Sequence, residues 1–325
     1  MLNKIKSVVS AVILVIAGFA GTAIMATNVA AEEDNNTDDK PGIRLQISPV
    51  SNRVNLEPGE TPEFTFTVSN IGSSEFKYTI YAAPYSVKDE NYDIDFSSET
   101  NRTQITRWIQ FKNSEGQWTD KLQMSIKPDE HQKIEYRVNV PKDVPNGGQY
   151  AAIFAETEPI TASGDNPGAI KTASRAGLIV YGRTSGETRD AAEISDFQFQ
   201  TLLTSGNVST SARIKNTGNT DFEAKYSMSI KTLFGKTIYE KENVYNVLPE
   251  TTRRASMEWG DTPIFGIYRA TASVSAVGEV KEESKIVMII PIFVIIIVLI
   301  LLTILIAWTI ILVKKRNEQK AKLIV

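Results

Sequence analysis

Short runs of alternating polar and apolar residues, turn residues between them, and one long uncharged stretch near the C-terminus predict an all-β ectodomain held by a single transmembrane helix. Phe64, Phe66 and Val68 alternate with Thr65 and Thr67; Ile134, Tyr136, Val138 and Val140 alternate with polar neighbours, as do Tyr226, Met228 and Ile230. A two-residue period places one set of side chains in a core and the other in water. Between residues 41 and 283 no stretch sustains the i, i+3, i+4, i+7 spacing of a core helix. Two units of about 100–145 residues with some seven short strands each fit two tandem immunoglobulin-like β-sandwiches.

Residues 1–31 read as a signal peptide. Lys4 and Lys6 precede an apolar run from Val8 to Met25, and Val29-Ala30-Ala31 supplies small residues before the acidic Glu32-Glu33-Asp34. Cleavage after Ala31 is the favoured reading, and an uncleaved signal anchor is the other. Residues 32–40 are acidic, rich in Asn and without apolar content, so a disordered leader is expected.

The ectodomain is one pattern written twice. Val68–Lys77 aligns without gaps on Ile214–Glu223 at an offset of 146 residues, each copy a strand, an Asn-x-Gly bend and a second strand. Glycine is expected at that bend for a positive φ. Further on, Pro128 leads to Gly148-Gln149-Tyr150-Ala151-Ala152, and Pro249 to Gly266-Ile267-Tyr268-Arg269-Ala270. The first sandwich is placed at 41–186 and the second at 187–283, with Gly186 at the break. The greater length of the first is ascribed to an extra hairpin, Gln149–Glu158 and Ser174–Thr184, whose polar tip Pro159–Ala173 is a candidate binding loop.

The uncharged stretch is placed at Ile286–Val313. Its 28 residues, at about 1.5 Å each, exceed the roughly 30 Å of a bilayer core. Lys314, Lys315, Arg316, Lys320 and Lys322 make residues 314–325 a basic tail, expected in the cytoplasm. No LPxTG-like motif precedes the stretch, so retention in the membrane is expected, with the ectodomain outside.

Charge and composition narrow the partners. Of 35 basic residues two fall in the signal segment and five in the tail; of 38 acidic residues one, Glu318, falls in the tail. The chain between is net acidic by nine, which argues against nucleic acid and against anionic lipid as partners. An extracytoplasmic chain without cysteine points to a bacterial envelope, because small secreted animal domains are commonly stapled by disulfides.

No catalytic, cofactor or metal residue is assigned. There is no Cys, and His131, the only histidine, lies among charged residues in the turn Pro128–Gln132, where a solvated side chain is expected. Asp89-Glu90-Asn91-Tyr92-Asp93-Ile94-Asp95 resembles the start of a calcium loop. Ile94 stands where such a loop needs Gly and no Glu falls at the twelfth position, so the run reads as a solvated turn. Trp259, in step with Ala255 and Met257, is a core candidate; Trp108 and Trp118 are candidates for core or contact.

The order Ile47-Ser48-Pro49, Pro58-Gly59-Glu60, Asn70-x-Gly72, Trp108-Ile109, Val247–Arg253, Trp259, Phe265-Gly266-x-Tyr268 and Ile290-Pro291 resembles the immunoglobulin-like surface proteins grouped with the WxL-interacting proteins of Gram-positive and related bacteria. The resemblance implies a peptidoglycan-binding first module and a second that binds another surface protein or host component. Two functions therefore compete. A non-enzymatic adaptor would bind peptidoglycan or a wall-associated protein and should expose an apolar patch on a sandwich; a structural spacer or accessory module would need none.

Overall fold

Alternation becomes strand pairing throughout the computed structural model, which describes residues 42–161 and 171–322. The expected signal peptide (1–31), the expected acidic leader (32–40) and most of the tip Pro159–Ala173 lie outside those residues. The first sandwich contains β1 (Leu45–Ser48), β2 (Ser51–Leu56), β3 (Glu63–Asn70), β4 (Phe76–Pro84), β5 (Ser86–Val87), β6 (Ile94–Asp95), β7 (Ile109–Lys112), β8 (Trp118–Thr119), β9 (Lys121–Ile126), β10 (His131–Val138), β11 (Gly147–Thr157), β12 (Ile160–Thr161), β13 (Lys171–Thr172) and β14 (Arg175–Thr184). Its sheets run β1-β3-β10-β7-β8 and β2-β14-β11-β4-β9. The second contains β15 (Ala192–Phe199), β16 (Leu202–Leu203), β17 (Val208–Asn216), β18 (Phe222–Thr232), β19 (Thr237–Val247), β20 (Thr252–Trp259), β21 (Gly266–Ala276) and β22 (Glu279–Ile289). Its sheets run β15-β17-β20 and β16-β22-β21-β18-β19. The helix α1 (Ile292–Lys322) follows.

Each sandwich buries the inward set of its alternation. Phe66, Val68, Tyr136, Ile153 and Val180 belong to the first core, and Ile214, Tyr226, Met228, Val274 and Trp259 to the second. In both, the second sheet opens with a strand that pairs parallel to its neighbour, β2 with β14 and β16 with β22. The shared strand order makes the repeat structural as well as textual.

Its pivot is a buried asparagine. Asn70 Oδ1 accepts from the Gly72 N–H at 2.9 Å while its Nδ2 donates to the Ser74 carbonyl at 2.8 Å. Asn216 Oδ1 accepts from Gly218 at 2.9 Å, and its Nδ2 donates to the Thr220 and Val247 carbonyls at 2.8 and 2.9 Å. The main chain of each pivot also pairs with the proline-marked turn: the Asp129 N–H donates to Asn70 O and the Glu250 N–H to Asn216 O, both residues having a positive φ. The expectation of positive φ at the glycines does not hold, since neither Gly72 nor Gly218 adopts it. Gly218 serves close approach instead: a Cβ there would lie 2.1 Å from the Arg189 carbonyl oxygen.

Three sequence readings need correction. First, Gln149–Glu158 and Ser174–Thr184 are not an added hairpin, because β11 and β14 occupy the same sheet positions as β21 and β22. Most of the extra length lies between β4 and β9, where the second sandwich has only the short turn from β18 to β19, and the rest lies in the connection from β11 to β14, which is short between β21 and β22. Second, the two Gly-x-Tyr-x-Ala motifs are out of step. Ile80 and Tyr226, 146 apart, face Ala155 and Val274, which are 119 apart, whereas Gly148 and Gly266 are 118 apart. One residue of slip changes the face, so Tyr150 points out of its sandwich and Tyr268 packs against Trp259 at 5.5 Å. Third, Ile286–Ile289 belong to β22, with Val287 and Ile289 in the second core. The half-buried strand and the helix merge into one apolar run in the sequence, and the chain divides them at Pro291. The apolar span of the helix is Ile292–Lys314, 23 residues, long and apolar enough to cross a membrane.

Asn216→Ala leaves one N–H and two carbonyls unpaired inside the protein, so a loss of about 3 kcal/mol is expected in the denaturant unfolding of the second sandwich. A loss under about 1 kcal/mol, within the range of a single ordinary hydrogen bond, would remove Asn216 from the pivot role.

Candidate functional site at the seam of the sandwiches

Strand β11 is buried at nearly every position, inward and outward alike. Its outward residues Tyr150, Ala152 and Phe154, with Tyr81, Tyr85 and Tyr181 beside them, make an apolar outer face where a free sandwich would be polar. The segment after β4 covers it. Phe96 stands edge-on to Phe154 at 4.8 Å, and Tyr85 edge-on to Tyr181 at 6.0 Å. Arg175 lies over the Phe154 ring at 4.4 Å.

The acidic run Asp89–Asp95 is the turn of this covering segment. Asp89 Oδ1 accepts from the Asn91 and Asp93 N–H groups at 2.9 and 3.3 Å. Asp95 accepts from Ser97 and Ser98, which holds its carboxyl well below the usual carboxylate range. The run is only partly solvated. Glu90 and Tyr92 leave it to grip the second sandwich.

Tyr92 Oη accepts from the Leu248 N–H at 2.6 Å, and Arg253 lies over the Tyr92 ring at 4.0 Å. Burial pushes the Tyr92 hydroxyl up to about 12. The Glu90 carboxylate receives Arg213 Nε at 3.0 Å and Arg254 Nη2 at 3.3 Å, while its carbonyl accepts from the Arg254 N–H at 2.7 Å. The hydrogen bond from Arg213 is the main cause that lowers the Glu90 pKa.

A second set of contacts closes the seam. Tyr150 Oη donates to Asp221 Oδ1 at 3.1 Å and accepts from the Asp221 N–H at 2.9 Å. Burial, with Asp221 beside it, raises the Tyr150 pKa, so the hydroxyl keeps its proton at neutral pH. Arg53 reaches the same carboxylate at 2.5 Å and Glu223 at 3.3 Å. The Gly148 N–H donates to Asn219 O at 2.8 Å. At Gly147 (φ 103°) a Cβ would lie 2.2 Å from that same oxygen, so the backbones meet only because glycine stands there. Arg102 bridges to Glu250 at 2.9 Å.

Exposed ion pairs contribute little by themselves. Buried Tyr92 and Tyr150, bonded to main-chain groups across the seam, set its geometry. Beside them a cleft of about 320 Å³ is lined from both sandwiches by Tyr85, Arg102, Tyr150, Leu248 and Glu250. It offers hydrogen bonds and aromatic edges.

Trp108 is in the first core and Trp259 in the second. The Trp118 ring is covered by Arg137 at 4.5 Å with Lys112 at 5.7 Å. His131 is exposed at the start of β10, its Nδ1 2.7 Å from Ser69 Oγ. No group of three His, Asp or Glu side chains among the described residues could hold a metal ion. Sequence reasoning passed over the seam residues. The one available signal was Tyr150 and Tyr181, aromatics at outward positions in segments already read as strands.

No protein-family model and no curated protein matches the chain. Among solved structures it is similar to the class 5 fimbriae chaperone CfaA, with 12% identity, 76% of this chain and 100% of that chain covered, and a TM-score of 0.36. The CsuC–CsuE chaperone–tip subunit pre-assembly complex of Acinetobacter baumannii gives 12% identity, coverage of 74% and 97%, and a TM-score of 0.36. The SafA pilin–SafB chaperone complex of Salmonella enterica gives 11% identity, coverage of 77% and 96%, and a TM-score of 0.35.

The seam should respond to acid. A carboxylate whose folded pKa is lowered contributes stability above its unfolded value of about 4.3 and loses it as pH falls through the folded value. Spin labels at Lys133→Cys and Lys241→Cys, in a chain without native cysteine, report the distance between the sandwiches. The distribution is expected to stay narrow at pH 7 and pH 5 and to broaden only below the ordinary Glu range. Glu90→Gln should broaden it only slightly at pH 7 and remove the further broadening on acidification, as expected for a water-screened ion pair. Broadening on acidification that persists in that variant would remove Glu90 from the clasp.

Proposed function

We propose that this protein is a non-enzymatic, membrane-anchored surface adaptor that holds its first sandwich at a fixed orientation for a wall-associated or other surface protein. The carrying observation is the clasped seam: a chain that only needed reach would gain nothing from buried Tyr92 and Tyr150 locking one sandwich to the next. The apolar helix directly after β22 supplies the anchor. Lys314, Lys315, Arg316, Lys320 and Lys322 support a cytoplasmic tail and an ectodomain outside. The motif order that resembles the WxL-interacting group supports a surface role.

A protein partner is preferred to peptidoglycan because the tryptophans suited to stacking on sugars are engaged elsewhere, Trp108 in the core and Trp118 under Arg137. One observation favours the spacer reading: of the large apolar side chains in the described part of the first sandwich, only Val50 and Ile94 are exposed.

Two measurements decide. Protease added to intact cells should remove the sandwiches and leave a C-terminal tag protected; a tag cut from outside would reverse the orientation. Detergent-solubilised full-length protein should be retained by cell walls that keep their proteins and released by walls stripped of protein. Retention by stripped walls would favour the polymer, and retention by neither would leave the spacer.

A further inference from the structure

The largest exposed apolar side chains of the ectodomain gather at one end of the second sandwich. Thr232 on β18 sits opposite Tyr268 on β21. Just beyond them the turn after β18 carries Leu233, 58% exposed, and Phe234, 100% exposed. The segment entering β21 carries Ile264 and Phe265, 76% and 60% exposed, and Ile267 follows at 43%. Leu202, 59% exposed, pairs with Met288 on the far side of the same sheet. A monomeric sandwich bathed in water does not gather such side chains without a partner surface.

The position of this end identifies the partner. Gly266 pairs with Ile289, the last residue of β22, and the helix begins at Ile292. The link between is tied down: the Ile290 N–H donates to Leu203 O at 2.8 Å, and Pro291 is buried. A bilayer entered by the helix therefore begins level with Phe234 and Phe265. Lys231 and Arg269 on the adjoining strands and Lys236 at the end of the turn flank the apolar tips, with Asp261 as the acidic residue of the neighbouring loop. The ectodomain is acidic as a whole, yet this end is locally basic. Apolar tips backed by cations are the pattern of interfacial insertion, where side chains sit in the headgroup–acyl boundary and cations meet phosphate.

We propose that this end of the second sandwich docks into the membrane surface, with Phe234 and Phe265 as the inserted side chains, so that the ectodomain stands on the bilayer rather than swinging from its helix. The inference rests on the reading that the helix spans the membrane, and the test separates the two. Full-length protein is placed in phosphatidylcholine–phosphatidylglycerol vesicles with a single fluorescent label at Lys236→Cys, Val277→Cys or Thr303→Cys. Val277 marks the opposite end of β21, about 35 Å away at the rise of a strand. Thr303 marks the middle of the helix.

Lipid-borne nitroxide should quench the labels at 303 and 236, and aqueous iodide the label at 277. Adding Phe234→Ser and Phe265→Ser should shift the label at 236 to the iodide-accessible class and leave 303 and the melting temperature unchanged, because neither side chain is in a core. A label at 236 as open to iodide as that at 277, with 303 still lipid-quenched, overturns the docking and keeps the anchor. Protection at 236 that disappears when the protein is diluted in lipid also overturns it and assigns the patch to a second copy of the chain. A label at 303 open to iodide removes the anchor and the docking together.

Discussion

Covering the aromatic outer face of the first sandwich is the constraint on which the remaining architecture depends. A sandwich ordinarily leaves its outer faces to water, and its strands alternate accordingly. β11 does not alternate, because Tyr150 and Phe154 on one side and Ile153 and Ala155 on the other are all buried. Something must lie over that face, and the segment between β4 and β9 does. Once Phe96 and Tyr85 are seated, the turn that joins them projects from the sheet with Glu90 and Tyr92 at its tip. Their partners can only come from the next sandwich. The seam thus follows from a packing demand inside the first module.

This dependence also explains the division of labour across the seam. Arg53, Arg102, Arg213 and Arg254 draw most of the ion pairs, but their side chains keep appreciable contact with water. Water screens such pairs, so they favour the correct approach more than they hold it. The buried hydroxyls of Tyr92 and Tyr150 act differently. Each satisfies a main-chain N–H that would otherwise be orphaned on closing, at Leu248 and Asp221. Losing either hydroxyl leaves that donor buried and unpaired, which makes the closed arrangement specific.

The all-β character, the doubling of the pattern and the apolar C-terminal segment were legible in the sequence because each rests on local periodicity. The Asn-x-Gly bend was legible too, though for the wrong residue: the asparagine side chain, not the glycine φ, carries the turn. Other features needed tertiary information. A strand buried on both faces looks in sequence like any apolar run, so β11 and β14 passed for an added hairpin. The boundary of the helix was hidden because Val287 and Ile289 are as apolar as the helix after them. The seam was least visible. Asp89–Asp95 has the composition of a solvated turn, and nothing local shows that Glu90 faces Arg213, 123 residues away.

The ladder that ends at Pro291 has a mechanical consequence. β22 pairs with β21 along its whole length and with β16 at its final residues, and the chain leaves it directly for the helix. On the proposed reading, with a partner on the first sandwich and the helix in a membrane, a tug between the two runs along the axis of β22. Pulled that way, the β21–β22 hydrogen bonds are loaded in shear and must yield together rather than open one after another from an end. The second sandwich therefore resists being drawn out most strongly along β22, the direction in which the helix leaves it.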